Sequence, residues 1–545
     1  MSTECYPITA LPNVTRLYRD YLAMGEAQTP VRGWYGAAPL AQEWMKPAAA
    51  SVHADALADA LEKQSREFGA GEKTLANIAK LRAGARALVT GQQVGLLGGP
   101  LLTLHKAATA IARAKQVTAA TGVEHVPVFW LASEDHDIEE VDQAALLTKH
   151  AVETLRLGVQ DTNDAPVGGV TFGEGIGPLL ERATELLSYA PVSELLREVH
   201  GASGATFAGA FARLMTRLFA EHGLIVMDAA GREFHALGAE ALRAAIEQAE
   251  ELEAALLARS TELESAGYHA QVLVKPGASL LFLVSEADGV KTRQPLKRLA
   301  DGTWKAGNSV FTATELLAIL DAAPERLSPN ALLRPVFQDT ILPTTAYVGG
   351  PAEVAYFAQS AVLYEKIAKR VTPILPRMSA TVLEPAIATV MVQHEVSLPD
   401  AMTTPDELAQ RLGARAMPIE AKRRLAAAGN ALDEALTAAV SYMGALDAGL
   451  GQTAEVSASK MRYQMDRLRR LAATHELNKE SSLKKHADAM ALHLFPEGHP
   501  QERVIAGAWF VAAWEIAKGE AGSGFIDLLV ETAASQCPGH LVVRI

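Results

Sequence analysis

Apolar residues recur along this chain in three rhythms. Residues 50–83 carry Ala and Leu at helical spacing between Glu and Lys, with a break near Gly69 to Gly71, which predicts two amphipathic helices. Next comes the short apolar run ALVTGQQ from Ala87, then the glycine-rich VGLLGG, then Pro100 at an expected first helical position. Leu104, Ala107, Ile111 and Ala114 give the following helix one apolar stripe, and HVPVFWLAS from His125 reads as a buried strand. Both strands are nearly continuous apolar runs, so a parallel strand-helix-strand unit is favoured over a hairpin. The helical FAGAFARLMTRLFAEH followed by GLIVMDA repeats that order, as does TTAYVGG with a helix starting near Pro351 and then TPILPR.

Between these α/β stretches, HAQVLVKPG, SLLFLVSE, GVKTRQPLKRL and GTWKAGNSV are short β-like pieces separated by Gly, Asp and Pro, which predicts a small β-rich insertion. After Pro418 the rhythm becomes seven, four and three: Leu425, Leu432, Leu436, Val440, Met443 and Leu446, then a reversal at Gly449 and Gly451, then Ala458, Met461, Met465, Leu468 and Ala472. Two long helices in an antiparallel coiled coil are expected, with a compact helix pair as the alternative. The basic runs Lys422 to Arg424 and Arg467 to Arg470 read as solvated faces of those helices.

A chain of 545 residues exceeds what one hydrophobic core serves, so two or three substructures are expected. The balance of 50 Lys plus Arg against 63 Asp plus Glu gives a formal charge of -13, which argues against nucleic acid as a partner. No basic segment precedes an apolar one at the start, and the longest apolar run, Val504 to Trp514, is short of the ~20 residues that span a bilayer, so a buried helix is expected there rather than a membrane segment. Only two cysteines occur, Cys5 and Cys537; they cannot build a disulfide framework or a multi-cysteine zinc site, and they are expected as free thiols in a reducing compartment.

Three segments gather chemistry. In Thr90 to Lys106, Gly95, Gly98 and Gly99 let backbone N–H groups approach an anion at a helix start, with Thr103, His105 and Lys106 near the mouth; a tight structural turn is the alternative. Ser133 to Asp137, directly after Trp130 on its strand, offers Glu134, Asp135, His136 and Asp137, able to hold an ammonium, move a proton or bind a divalent metal, or simply to form a solvated loop. Ser328 to Phe357 mixes Arg334, Gln338, Tyr347, Gly349, Gly350 and Glu353 with apolar strand residues, and Arg377 follows in LPRMSAT.

TGQQVGLLGGPLLTLHK, VPVFWLASEDHDIEEVD, SPNALLRPVFQDTILPTTAYVGGPAEVAYF and LFPEGHPQERV together resemble the bacillithiol-biosynthesis cysteine-adding enzymes, in the same order along nearly the full chain. The resemblance implies a cytoplasmic α/β protein with a Rossmann-like parallel-sheet core (residues 1–266 and 326–390), a β-rich insertion (267–325), an α-helical coiled-coil domain (391–490) used for homodimerisation, and a C-terminal helical segment (491–545) packing back on the core. It implies a ligase that joins cysteine to the amine of glucosaminyl-malate, with ATP, accompanied by Mg2+, as the expected activator. On that basis Asp135, His136, Asp137 and Lys106 are the expected catalytic residues, and Thr90, Gln92, Gln93, Trp130, Glu134, Arg334, Gln338, Tyr347 and Glu353 the substrate-binding ones. Gly95, Gly98, Gly99, Thr103, His105, Gly349, Gly350 and Arg377 are expected to meet phosphate or carboxylate. No resident metal and no structural zinc are expected. A ligase for another amino acid and a non-catalytic nucleotide-binding assembly protein are the competing readings.

Overall fold

The structure, a computed structural model, describes residues 4–25, 30–159, 164–287, 290–535 and 537–545. At its centre lies a five-stranded sheet of β1 (Arg86–Gln92), β2 (His125–Leu131), β3 (Ile225–Asp228), β4 (Thr344–Gly349) and β5 (Ile374–Pro376). All neighbours are parallel and the spatial order is β5-β4-β1-β2-β3. Read along the chain this is 3-2-1-4-5, the doubly wound Rossmann order, whose switch point falls between β1 and β4.

Strand side chains alternate between two cores. Ala87, Val89, Val126, Val128, Ile225 and Met227 enter one, together with Val354 and Phe357 of the helix Pro351–Leu363. Leu88, Ala346 and Val348 face the other way, onto Ala110, Ala114 and Val117 of α1 (Leu102–Thr121), while Phe129 and Val226 meet Phe211 and Met215 of α2 (Phe207–Leu218). With apolar layers on both faces, these strands have no polar side to expose, which is why they read as continuous runs.

The β-rich insertion is an antiparallel five-stranded sheet, ordered Ser309–Phe311, Trp304–Ala306, Val290–Arg298, Ala278–Ala287, Leu327–Pro329. Two details differ from the sequence reading. HAQVLVKPG forms no strand, and a helix at Ala313–Ala322 interrupts the β texture. That helix was legible: Thr312 accepts from the Glu315 N–H while Glu315 reaches back to the Thr312 N–H, a capping box written as Thr-x-x-Glu before LLAIL. Gly289, the first residue of the expected GVKTRQPLKRL piece, lies outside the described residues.

Two long helices, Ile419–Leu446 and Ala448–Lys479, pack as an antiparallel hairpin that turns at Asp447, whose carboxylate accepts from the Leu450 N–H at 2.9 Å. Ala458 and Met465 are buried in the seam, but Met461 and Leu468, expected in the same seam, are 50% and 54% exposed. They join Val456, Tyr463 and Leu471 in an open apolar stripe. The run Val504 to Trp514 is divided: one turn at Gln501–Val504, an extended Ile505–Ala506, then the helix Gly507–Lys518. Among the described residues no helix is long and apolar enough to cross a membrane.

A third sheet holds Glu4–Tyr6 antiparallel to His540–Arg544, which runs parallel to Ser379–Leu383. A Cβ at Gly539 would stand 1.9 Å from the Tyr6 carbonyl oxygen, so only glycine allows this approach. Beside it, Cys5 and Cys537 form a disulfide. The expectation of two free thiols is thereby corrected. Only the fold brings residues 532 positions apart to bonding distance, so counting cysteines could not foresee the pairing.

Candidate active site

The carboxyl ends of β1 and β4 flank the switch point, where an open α/β sheet leaves its natural crevice. Lys106, one turn into α1, points back across the end of β1: its ammonium donates to the Gly91 carbonyl and to Gln92 Oε1, both at 2.8 Å, and lies 2.5 Å from Glu353 Oε2. Glu353 stands three residues past Gly350, before which β4 ends. It accepts from the Gly350 N–H at 2.7 Å and from the Tyr347 hydroxyl at 2.6 Å. Burial alone would raise this carboxyl, yet the Lys106 ammonium, the Gly350 N–H and the Tyr347 hydroxyl together hold it below the ordinary value. Burial lowers Lys106 while Glu353 works against that, and burial with the Glu353 charge pushes the Tyr347 phenol far upward, so Tyr347 remains a donor.

Arg334 opens the helix Arg334–Ile341 and completes this group. Its guanidinium donates to the Tyr356 hydroxyl at 2.8 Å and to Gln338 Oε1 at 3.2 Å, and lies 5.4 Å from the Tyr347 ring centroid. Burial opposes its charge, but Tyr356, Tyr347 and Glu353 more than restore it. Gln338 is fully buried and donates to Asp339, which makes it a support for Arg334 rather than a group facing the crevice.

A second group forms at the end of β2. Gln93 Nε2 donates to Asp135 Oδ2 at 3.3 Å and to Glu140 Oε2 at 2.5 Å. The consecutive Gln92 and Gln93 therefore address different partners, the first the Lys106–Glu353 pair and the second the acidic segment. Sequence reasoning passed over Glu140, although it stands in the same DHDIEE run. Although Glu140 is an exposed residue, desolvation of its carboxyl, with Asp137 and Asp135 adding like charge, raises it above the ordinary value, while Gln93 opposes. His136 and Asp135 are each 40% exposed, and Asp137 is exposed.

The insertion sheet reaches this group through Arg293, also missed from sequence. Arg293 is buried, stacks 3.6 Å from the Phe282 ring centroid, donates to Ser328 Oγ and the Pro329 carbonyl, and stands 3.3 Å from His136 Nδ1. Behind it Glu134 pairs with buried His235 at 3.1 Å. Burial disfavours both charges, but each stabilises the other: Glu134 is lowered and His235 raised. Glu134 thus serves as the counter-ion of His235.

Several expected site residues are placed in the protein interior. Thr90 donates to the Val348 carbonyl at 2.8 Å, and Trp130 is a core side chain edge-on to Phe337. The glycine loop after β1, with Gly95, Gly98 and Gly99, is buried, and much of its backbone is engaged within the protein. The Leu97 N–H goes to His200, the Gly99 N–H turns back to the Leu96 carbonyl, the Leu101 N–H goes to the Ile505 carbonyl, and the Gly99 carbonyl accepts from Gly507. Pro100 bridges Ala506 instead of opening the helix. Thr103 and His105 are fully buried, and His105 Nδ1 meets Glu502 at 3.0 Å. Burial holds that imidazole below its ordinary value, so at neutral pH it is an Nδ1–H donor to the carboxylate.

The second glycine loop is buried as well: the Gly350 N–H goes to Glu353, and the Gly349 carbonyl accepts from the Arg377 N–H. Gly349 lies so close to Ile374 Cδ1 and Glu353 Cβ that a methyl group would meet them at 2.8 and 3.0 Å. Just beyond Gly350, a cavity of about 170 Å³ is lined by Pro351 and Ala352 of the helix start, Arg377, Arg503, Glu502, and Tyr18 with its neighbours in Ile8 to Thr15. Arg377 donates to Glu502 Oε1 at 2.7 Å. Burial works against both charges, but the pairing keeps Glu502 far below the carboxylate range and Arg377 above its ordinary value. Arg503 adds a second guanidinium to the cavity wall. Glu502, which lies in the recognised LFPEGHPQERV, was not singled out as a site residue.

A Rossmann sheet with polar side chains gathered at its switch point and a coiled-coil appendage defines the class, and comparison gives the family. The model of the bacillithiol biosynthesis BshC N-terminal Rossmann-like domain matches residues 1–378, and that of the BshC C-terminal coiled-coil domain matches 380–545. A relative from Koribacter versatilis, provisionally named cysteine ligase BshC, is 40% identical over the whole of both chains. Similarly named relatives from Solibacter usitatus and Salinibacter ruber are 34% and 33% identical, the first covering 94% of this chain and 95% of its own, the second 83% of each. The chain belongs to the BshC family.

Proposed function

We propose that this protein is a ligase that forms an amide between the carboxyl group of cysteine and the amine of glucosaminyl-malate. Family membership and the relatives' name support the cysteine ligase reading. The observation that carries the chemistry is the division of labour at the end of β1, where Gln92 touches a buried ion pair and Gln93 an acidic segment.

Carboxylates do not condense with amines at neutral pH without activation, and ATP is the proposed source of that activation. The residues around the cavity beyond Gly350 fit an anion: Glu502 is paired with Arg377, and the helix start with Ala352 and the guanidinium of Arg503 add positive charge to the wall. The same wall suits the malate carboxylates. On the other side of the crevice, an ammonium loses a proton before it attacks. Glu140, its carboxyl raised, and Asp135, which shares Gln93 with it, supply acceptors for that proton, and His136 stands beside Arg293 as a third. Lys106 steadies negative charge that develops on the carbonyl oxygen, and Glu353 with Tyr347 fixes its position.

The open stripe of Val456, Met461, Tyr463, Leu468 and Leu471 supports a homodimer through the hairpin. Deleting the gene tests the activity in the cell: glucosaminyl-malate accumulates and bacillithiol disappears if the reading is right, whereas normal levels of both reject it.

A further inference from the structure

Cys5 and Cys537 are the chain's only cysteines, and their disulfide is accessible: Cys5 is exposed and Cys537 half-buried. It closes the weakest edge of the third sheet. The strand Glu4–Tyr6 has three residues, none of them buried; besides a three-residue ladder to His540–Arg544 and the packing of Tyr6, it is held by an exposed Arg544–Glu4 pair at 2.5 Å, a kind of contact that adds little. Directly after this strand the chain runs through Ile8, Leu11 and Val14 to Tyr18, which wall the cavity that contains Arg377 and Arg503.

The two sulfurs are not equivalent. The Gly539 N–H donates to Cys537 Sγ at 3.4 Å, and Cys537 is the more covered of the two. An attacking thiolate reaches Cys5 more easily, and the sulfur that leaves is the one already facing an N–H donor, which favours its thiolate.

We propose that the Cys5–Cys537 disulfide is an exchange site for small aliphatic thiols, and that opening it loosens the cavity wall formed by the N-terminal segment. The thiolate forms a bond to Cys5 Sγ as the Cys5–Cys537 bond breaks, and the electron pair leaves on Cys537. A second small thiol then attacks the mixed disulfide, so two thiols are oxidised to their symmetrical disulfide and both protein cysteines are reduced. The proposal rests on the ligase reading only for the local supply of such thiols; the exchange itself needs no turnover.

The test uses the full chain incubated with excess free cysteine at pH 8, quenched with acid and mapped by peptide mass spectrometry, alongside hydrogen exchange of residues 4–18. The expected result is Cys537 free to alkylation, with Cys5 cysteinylated at early times and itself free once a second cysteine has attacked, and at least tenfold faster exchange in the N-terminal segment. An intact disulfide under excess cysteine, an adduct on Cys537, or unchanged exchange after opening overturns the proposal. Cys5→Ser should show the fast exchange without added thiol, and protection equal to that of the oxidised protein also overturns it. If Cys5→Ser does not fold, as judged by circular dichroism, the thiol-treated wild-type protein decides. Neither readout involves product formation, so failure here is distinguishable from failure of the ligase reading.

Discussion

Lys106 and Glu353 meet at 2.5 Å across the switch point of the sheet, one from the helix after β1 and the other from the helix after β4. Both are nearly enclosed, with side chains 5% and 15% exposed. A buried pair of this kind is expensive to break and cheap to replace as a unit. Glu353→Gln should therefore cost about 3–5 kcal/mol of unfolding free energy, since it strands an ammonium. The double variant Lys106→Met/Glu353→Leu should recover most of that stability in urea titrations while ligase activity stays at least ~100-fold down. Recovery of activity with stability would remove the pair from the chemistry.

The Glu134–His235 pair makes stability depend on pH in two limbs. His235 is raised from 6.5, so its contribution is complete below 6.5 and is lost as pH rises through its folded value. Glu134 is lowered from 4.5, so its contribution is complete above 4.5 and is lost as pH falls through its folded value. Both are in full force between those two ordinary values. His235→Gln should flatten both limbs in urea midpoints measured from pH 4 to 9; unchanged limbs would assign them to other groups.

At Gly349, a methyl group would press on Ile374 and on the Glu353 stem. Gly349→Ala should cost about 1–3 kcal/mol and lower activity through displacement of Glu353. Gly177, which has open space around its Cα in a helix, is the control: Gly177→Ala should be neutral or stabilising by about 0.4–1 kcal/mol. Thermal melts of the two variants separate these outcomes.

The hairpin stripe predicts assembly. Met461→Glu combined with Leu468→Glu should give a folded monomer by analytical ultracentrifugation, because both residues are half exposed and their loss leaves the seam of Ala458 and Met465 intact. A dimer that persists would place the subunit contact elsewhere.

How much of this was legible follows from the range of each interaction. The strand-loop-helix-strand run through Lys106 and His136, and the Tyr347 to Glu353 turn, are local patterns, and the residues they mark gather at the ends of β1, β2 and β4. The glycine loop after β1 is met by Ile505 to Gly507, a segment about four hundred positions later that shows no sign of that role in sequence. Arg293 and Glu502 were missed for the same reason: each acts on residues distant in the chain, His136 and Arg377. The cysteines were judged by number, whereas pairing depends on where two strands end.

The most direct measurement is product mass spectrometry on the purified full chain with ATP, glucosaminyl-malate and isotopically labelled cysteine or serine. The account predicts a product of the combined mass of cysteine and glucosaminyl-malate less one water, formed with cysteine and not with serine, and at least ~100-fold slower in Glu353→Gln. Amide formation with serine but not cysteine, or a cysteine product whose rate is untouched by Glu353→Gln, would contradict it.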